Sequence, residues 1–132
     1  MSKKSKQLAK IAGPIITCPP ELGPSARAEW DRVVGELIQN GTITGLDRAA
    51  LASYCVAYTM YIDAVESIQT YGMMVKSPNG YPQQSPYVSI ANKQFEIMMR
   101  VGADFGFTPA ARDRLAKPTT TDLEPFDPWS NE

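Results

Sequence analysis

The chain has 132 residues, 13 basic and 14 acidic side chains and a net charge of −1, with no histidine and only two cysteines. This length is sufficient for one domain with a modest hydrophobic core. The absence of histidine excludes Ser-His-Asp and Cys-His catalysis and the zinc and di-iron sites that require imidazole. Cys18 and Cys55 lie 37 positions apart, so we expect them to be reduced thiols of a cytoplasmic protein.

The charges divide the chain into a basic arm (1–23), a neutral body (24–117) and an acidic tail (118–132), with net charges of +3, 0 and −4. Charge blocks at chain ends are typical of flexible interaction segments, so we predict flexible termini. The apolar run Ile15-Ile16 is too short for a signal peptide, and no stretch approaches the roughly 18 apolar residues of a membrane span.

The two ends suit different partners. The arm has neither arginine nor aromatic side chains, but it carries four lysines that can contact phosphates without reading bases, namely Lys3, Lys4, Lys6 and Lys10. The tail places Phe126 and Trp129 among acidic and proline residues. Isolated aromatics in such a segment predict a docking peptide for a protein partner, the alternative being that they fold back onto the body.

The body begins with two predicted helices. The first runs from about Ser25 to Gln39, and Asn40-Gly41 ends it. The second begins near a Thr44–Asp47 capping box and meets no helix breaker before Gly72, which gives it about 27 residues.

The second helix is apolar over more than half its circumference. At 1.5 Å per residue it spans about 40 Å, whereas a compact chain of this size is about 36 Å across. A single small domain cannot easily cover such a helix, so the pattern predicts self-association through residues of its apolar face, namely Tyr54, Tyr58, Tyr61 and Ile62.

The rest of the body predicts a β-hairpin at 73–85 with Asn79-Gly80 at its turn, a third helix begun by Ser85-Pro86 and ended by Gly106, and a short fourth helix from Pro109 to about Ala116. On the fourth helix, Leu115 is expected to face the body and Arg112 and Arg114 the solvent. The predicted fold class is therefore mainly α, with one long central helix, a small β-hairpin insertion and flexible termini.

No catalytic constellation is visible, so we predict that the protein is not an enzyme and needs no cofactor or metal. The chain lacks the phosphate-binding loop GxxxxGK[ST] and the dinucleotide motif GxGxxG. Asp63 and Glu66 are helical i, i+3 neighbours, typical of a solvated face, and a metal-dependent nuclease using them is the remaining catalytic alternative. Cys55 falls on an apolar helix face and is expected to be an inert core thiol.

Four stretches in this order and spacing carry a family resemblance: PPELGPSARAEWDRVVGELIQNG, TGLDRAALASYCVAY, YGMMVKSPNGYPQQSPY and FGFTPAARDRL. Together they cover about residues 19–115, and the last is the most distinctive. In them the body resembles the small terminase subunit of tailed double-stranded DNA bacteriophages.

The resemblance implies a non-enzymatic protein that forms a homo-oligomeric ring in the host cytoplasm, recognises double-stranded viral DNA where packaging starts, and recruits and regulates the large terminase, an ATPase and nuclease. We infer from charge that the arm contacts DNA and the tail docks the large subunit. Candidate DNA contacts of the body are Arg27, Arg32 and Lys76, and the alternative for the two arginines is pairing with Glu29, Asp31 or Glu36. The competing function is a structural virion or other interaction protein that does not bind DNA.

Overall fold

The computed structural model describes residues 16–116. They form four α-helices and a two-stranded sheet in the order α1 (Pro24–Gln39), α2 (Arg48–Tyr71), β1 (Met74–Lys76), β2 (Pro82–Gln84), α3 (Pro86–Phe105) and α4 (Pro109–Ala116). A single 3₁₀ turn, Gly45–Asp47, leads into α2. The mainly α fold with a long central helix and a small hairpin is thus confirmed. The lysines of the arm and the aromatic residues of the tail lie outside the described residues.

The helices begin and end at the predicted signals. The capping box ahead of α2 is formed, because the Thr44 backbone N–H donates to Asp47 at 2.9 Å and the Leu46 N–H donates to the Thr44 hydroxyl at 3.3 Å. Ser85 caps α3 by accepting from the Tyr87 N–H at 3.3 Å. Gly106 ends α3 with a φ of 75°, a left-handed conformation that a side chain would strain.

The hairpin joins the far ends of α2 and α3. Met74 pairs with Gln84 and Lys76 with Pro82 in an antiparallel register. The Ser77 N–H donates to the Tyr81 carbonyl at 2.8 Å and closes the turn. The Ser85 N–H donates to the Met73 carbonyl at 2.7 Å, which attaches the hairpin to the start of α3.

α2 and α3 form a long antiparallel helix pair, and α1 packs against only part of it. About midway along the pair, Tyr61 of α2 lies against Phe95 of α3, with ring centroids 6.0 Å apart. Near the end away from the hairpin, Tyr54 makes an edge contact with Phe107 at 4.8 Å. α1 packs on α2 at this end, so the body is three helices thick here and two helices thick toward the hairpin.

The hydrophobic core lies where α1, α2 and α3 meet. Its members are Trp30, Val33 and Leu37 of α1, Leu51, Tyr54 and Cys55 of α2, Phe105 of α3, and Ile43 of the first connection, with Ile16 and Ala26 at its edge. Cys55 is fully buried and both cysteines are free, so the prediction of a core thiol is confirmed.

α4 packs on the body mainly through its first turn. Ala111 is the buried residue of this helix, whereas Leu115, which was expected to face the body, is 50% exposed. Ala111 lies in the first turn, where its N–H donates to the Thr108 hydroxyl at 3.2 Å. In the following turn the Leu115 side chain does face the body, since its Cδ1 lies next to Gly106, but it stays half-exposed on the wall of an open groove between α4 and α1.

Two leucines only five positions apart provide a test of this core. Leu51 is 0% exposed and Leu46 is 95% exposed. We expect Leu51→Ala to lower the free energy of unfolding by about 2–5 kcal/mol, because the shorter side chain buries less apolar surface and leaves a cavity. The matched substitution Leu46→Ala should change it by less than about 0.5 kcal/mol. Urea denaturation followed by circular dichroism measures both, and similar losses of stability for the two variants would contradict this placement of the core.

Candidate interaction surfaces

A buried carboxylate joins α1 to α2. Glu29 is only 4% exposed, and its side chain accepts from two nitrogens of Arg32, including Nε at 2.9 Å. The Tyr54 hydroxyl donates to the same carboxylate at 3.2 Å. An isolated carboxylate would be costly in this core, whereas one with three donors, two of them from a cation, has its charge and its lone pairs satisfied.

The Glu29 carboxylate and burial in the core shift the pKa values of three neighbouring side chains. The hydrogen bonds that the Arg32 guanidinium donates to Glu29 raise the pKa of Arg32 further above its ordinary value. Burial, with a smaller contribution from Glu29, raises the pKa of Tyr54 to about 12. Burial likewise raises the pKa of Cys55 to about 12, so this thiol is protonated and unreactive at neutral pH.

The three predicted DNA contacts of the body are all exposed but do not lie together. Arg27 and Arg32 are on α1, where Arg27 donates to the Pro19 carbonyl at 3.5 Å and Arg32 is held by Glu29. The alternative of a pair with Glu29 is therefore the arrangement found for Arg32. Lys76 is on β1, which follows the end of α2 that lies away from α1. The structure therefore supplies no single basic patch made of these three residues.

Two arginines hold the segment through which the arm enters the body. Arg48, at the start of α2, donates from Nε to the Thr17 carbonyl at 2.7 Å, and Arg27 donates to the Pro19 carbonyl. Ile16 adds a buried apolar contact. The sequence carries no signal for the Arg48 contact, because its acceptor is a backbone carbonyl 31 positions away. The structure thus adds Arg48 as a residue that positions the root of the arm.

The predicted self-association residues divide into two groups. Tyr54 is only 7% exposed and packs against Glu29 and Phe107 within the chain, so it belongs to the core. Tyr54 therefore leaves little surface for another molecule, and its place in a self-association interface stays a prediction. Tyr58, Tyr61 and Ile62 are half-buried and retain surface for another molecule.

The apolar face of α2 extends beyond the cover that α1 supplies. Leu51 and Cys55 are fully buried, and the same face continues at spacings of three and four residues through Tyr58, Ile62 and Val65, which are each half-buried. The face is therefore less buried where the body becomes two helices thick. α2, α3 and the segment before β1 also expose large apolar side chains, among them Met60, Met73, Phe95 and Met99.

An open groove of about 730 Å³ separates α1 from α4. Its apolar lining includes Val33, Leu37, Phe107 and Leu115. Its charged lining is Arg32 and Glu36 of α1 and Arg112 of α4. Ala116, the last residue that the structure describes, also lines it.

The candidate catalytic pair is exposed. Asp63 and Glu66 lie on the solvent side of α2, and residues 16–116 contain no group of three or more carboxylate or thiol side chains that could hold a metal ion. Within the same range, no helix combines the length and hydropathy needed to cross a membrane.

Comparison with known proteins identifies one family. A family model described as phage terminase, small subunit, matches residues 26–122, which is more than half of the chain. No curated protein and no solved structure gives a significant match. The matched range begins in α1 and ends shortly after α4, so it contains nearly the whole described helical body but neither the lysines of the arm nor Phe126 and Trp129.

The buried carboxylate can be tested by an isosteric change. Glu29→Gln keeps the shape but removes the charge that Arg32 and Tyr54 contact, so we expect a decrease of about 1–3 kcal/mol in the free energy of unfolding. Glu36→Gln makes the same change at an exposed position of the same helix and should cost less than about 0.5 kcal/mol. Urea midpoints measure both, and a Glu29→Gln variant as stable as the Glu36→Gln control would refute the stabilising role of this contact.

Proposed function

This chain belongs to the phage terminase small-subunit family, and from that premise we propose that it is a non-enzymatic adaptor for packaging viral DNA. In the proposal it self-associates into a ring in the host cytoplasm, binds double-stranded viral DNA where packaging starts, and recruits and regulates the ATPase-nuclease of the large terminase. The family match over the helical body is the observation that carries this function.

We propose that DNA affinity comes mainly from the arm. Five of the chain's six arginines are hydrogen-bonded within the body, namely Arg27, Arg32, Arg48, Arg112 and Arg114. The four lysines of the arm are compact charges suited to phosphate contact, and the arm enters a body that holds its root at Thr17 and Pro19. Arg27, Arg32 and Lys76 supplement the arm.

Self-association gives this weak contact its strength. Several arms on one assembly act together, so their combined affinity exceeds that of one arm by orders of magnitude. The proposed interface is the uncovered continuation of the α2 face, with Tyr58, Tyr61 and Ile62 at its centre. Covering this face removes from water the apolar surface that one protomer leaves half-exposed.

The acidic tail is the proposed contact for the large terminase. Phe126 and Trp129 supply the aromatic anchors that dominate the energy of many protein interfaces. The surrounding acidic side chains keep the segment soluble and repel it from DNA, which leaves the tail free for a protein partner while the arm binds phosphates.

The interface can be tested by placing a charge on it. The wild-type mass measured by light scattering should be several times 14.5 kDa. Ile62→Glu should reduce it, because a carboxylate would be desolvated in the contact between subunits. Gln69→Glu adds the same charge at an exposed polar position of α2 and should leave the mass unchanged. A wild-type protein with the mass of one chain, or a folded Ile62→Glu variant with the wild-type mass, would overturn the proposed interface.

The DNA contact can be tested by its salt dependence. Replacing Lys3, Lys4, Lys6 and Lys10 with glutamine should weaken binding to double-stranded DNA. It should also flatten the slope of log affinity against log salt concentration, by about 0.9 for each phosphate that the arm no longer neutralises. A control arm with the same residues in permuted order should bind as the wild type does, since phosphate contacts do not depend on arm sequence. Unchanged binding by the glutamine variant would exclude the arm as the DNA contact. No binding by the wild type would favour the alternative function, a virion protein that does not bind DNA.

A further inference from the structure

The groove between α1 and α4 has the properties of a peptide site. Its volume of about 730 Å³ lies within the range of about 300–1,000 Å³ typical of ligand pockets. Its lining is largely apolar, with Arg112 and Glu36 as charged residues and with Arg32, which is paired with Glu29. Such a lining suits a segment with large apolar side chains, and Arg112 is the cation that a carboxylate of that segment can approach.

The position of the last described residue indicates which segment occupies the groove. Ala116 lines the groove, so the next residues of the same chain begin at its wall. Residues 118–132 carry four acidic and no basic side chains, and they include Leu123, Phe126 and Trp129. Phe126 lies ten positions after Ala116, a length of chain that spans about 33 Å when extended, so both aromatic side chains can reach back into the groove.

We propose that the acidic tail of this chain docks in the groove of its own protomer, with Phe126 and Trp129 against the apolar lining and a tail carboxylate toward Arg112. The tether keeps the tail at a high effective concentration beside the site, so a modest affinity is sufficient. Leu115, half-exposed on the groove wall, is covered in this state.

This inference goes beyond the proposed function, because it assigns a site within the chain and needs neither DNA nor a large subunit. It also gives the tail two alternative positions. The aromatic side chains that would anchor it to the large terminase are the ones held in the groove, so the two contacts exclude each other and docking on the partner opens the groove.

Trp129 itself reports this contact in the full-length protein. The other tryptophan, Trp30, is buried in the core, so subtracting the emission of a Trp129→Phe variant isolates Trp129. We expect its emission to be blue-shifted and shielded from acrylamide. Leu115→Ser should increase the quenching of Trp129 several-fold, whereas Leu46→Ser, the same change at an exposed leucine away from the groove, should leave it unchanged.

A second variant guards against a folding effect of Leu115→Ser. Phe126→Ser leaves the described body untouched, and it should release Trp129 in the same way. The proposal is overturned if Trp129 of the wild type is quenched as readily as free tryptophan, or if both Leu115→Ser and Phe126→Ser leave it shielded. Shielding that disappears on dilution would place the tail on another copy of the chain and would overturn a contact within one protomer.

Discussion

The difference in length between α1 and α2 determines most of this structure. α2 has 24 residues and α1 has 16, so they span about 36 Å and 24 Å. α1 therefore covers only the beginning of α2, and the core forms there, around Trp30 and Leu51. Beyond that point α2 has α3 as its main neighbour, and its apolar face is half-covered. The location of the core and the location of the half-covered apolar surface thus have one cause.

The carboxylate of Glu29 lies at the junction that this difference creates. It is buried between α1 and α2, where a charge would oppose packing, and its contacts with Arg32 and Tyr54 turn it into a link between the two helices. Such a link depends on direction, unlike apolar contacts, which tolerate many packings. The two helices can satisfy this group in few relative positions, so the contact favours one arrangement of α1 on α2.

The sequence was sufficient to predict the elements, because their boundaries depend on local signals. Thr44 with Asp47, Ser85 before Pro86, and Gly106 act on neighbouring backbone groups, and each does so in the structure. Placement between elements was less predictable. Periodicity shows that a face is apolar but not which neighbour covers it, so it places Tyr54 on the apolar face of α2 without indicating the contacts of this residue with Phe107 and Glu29.

The use of arginine in the body bears on how specificity can arise in such an adaptor. Arginine is the side chain best suited to reading guanine in DNA. In this body, however, Arg48 donates to a backbone carbonyl at the root of the arm, and Arg112 and Arg114 donate to backbone carbonyls where α3 meets α4. In the proposed function, phosphate contact then falls to lysines, which bind without regard to sequence. Selection of DNA would then depend on the spacing of several arms and on the shape and deformability of the duplex. Under this proposal the assembly, rather than the single protomer, is the unit in which recognition can be specific.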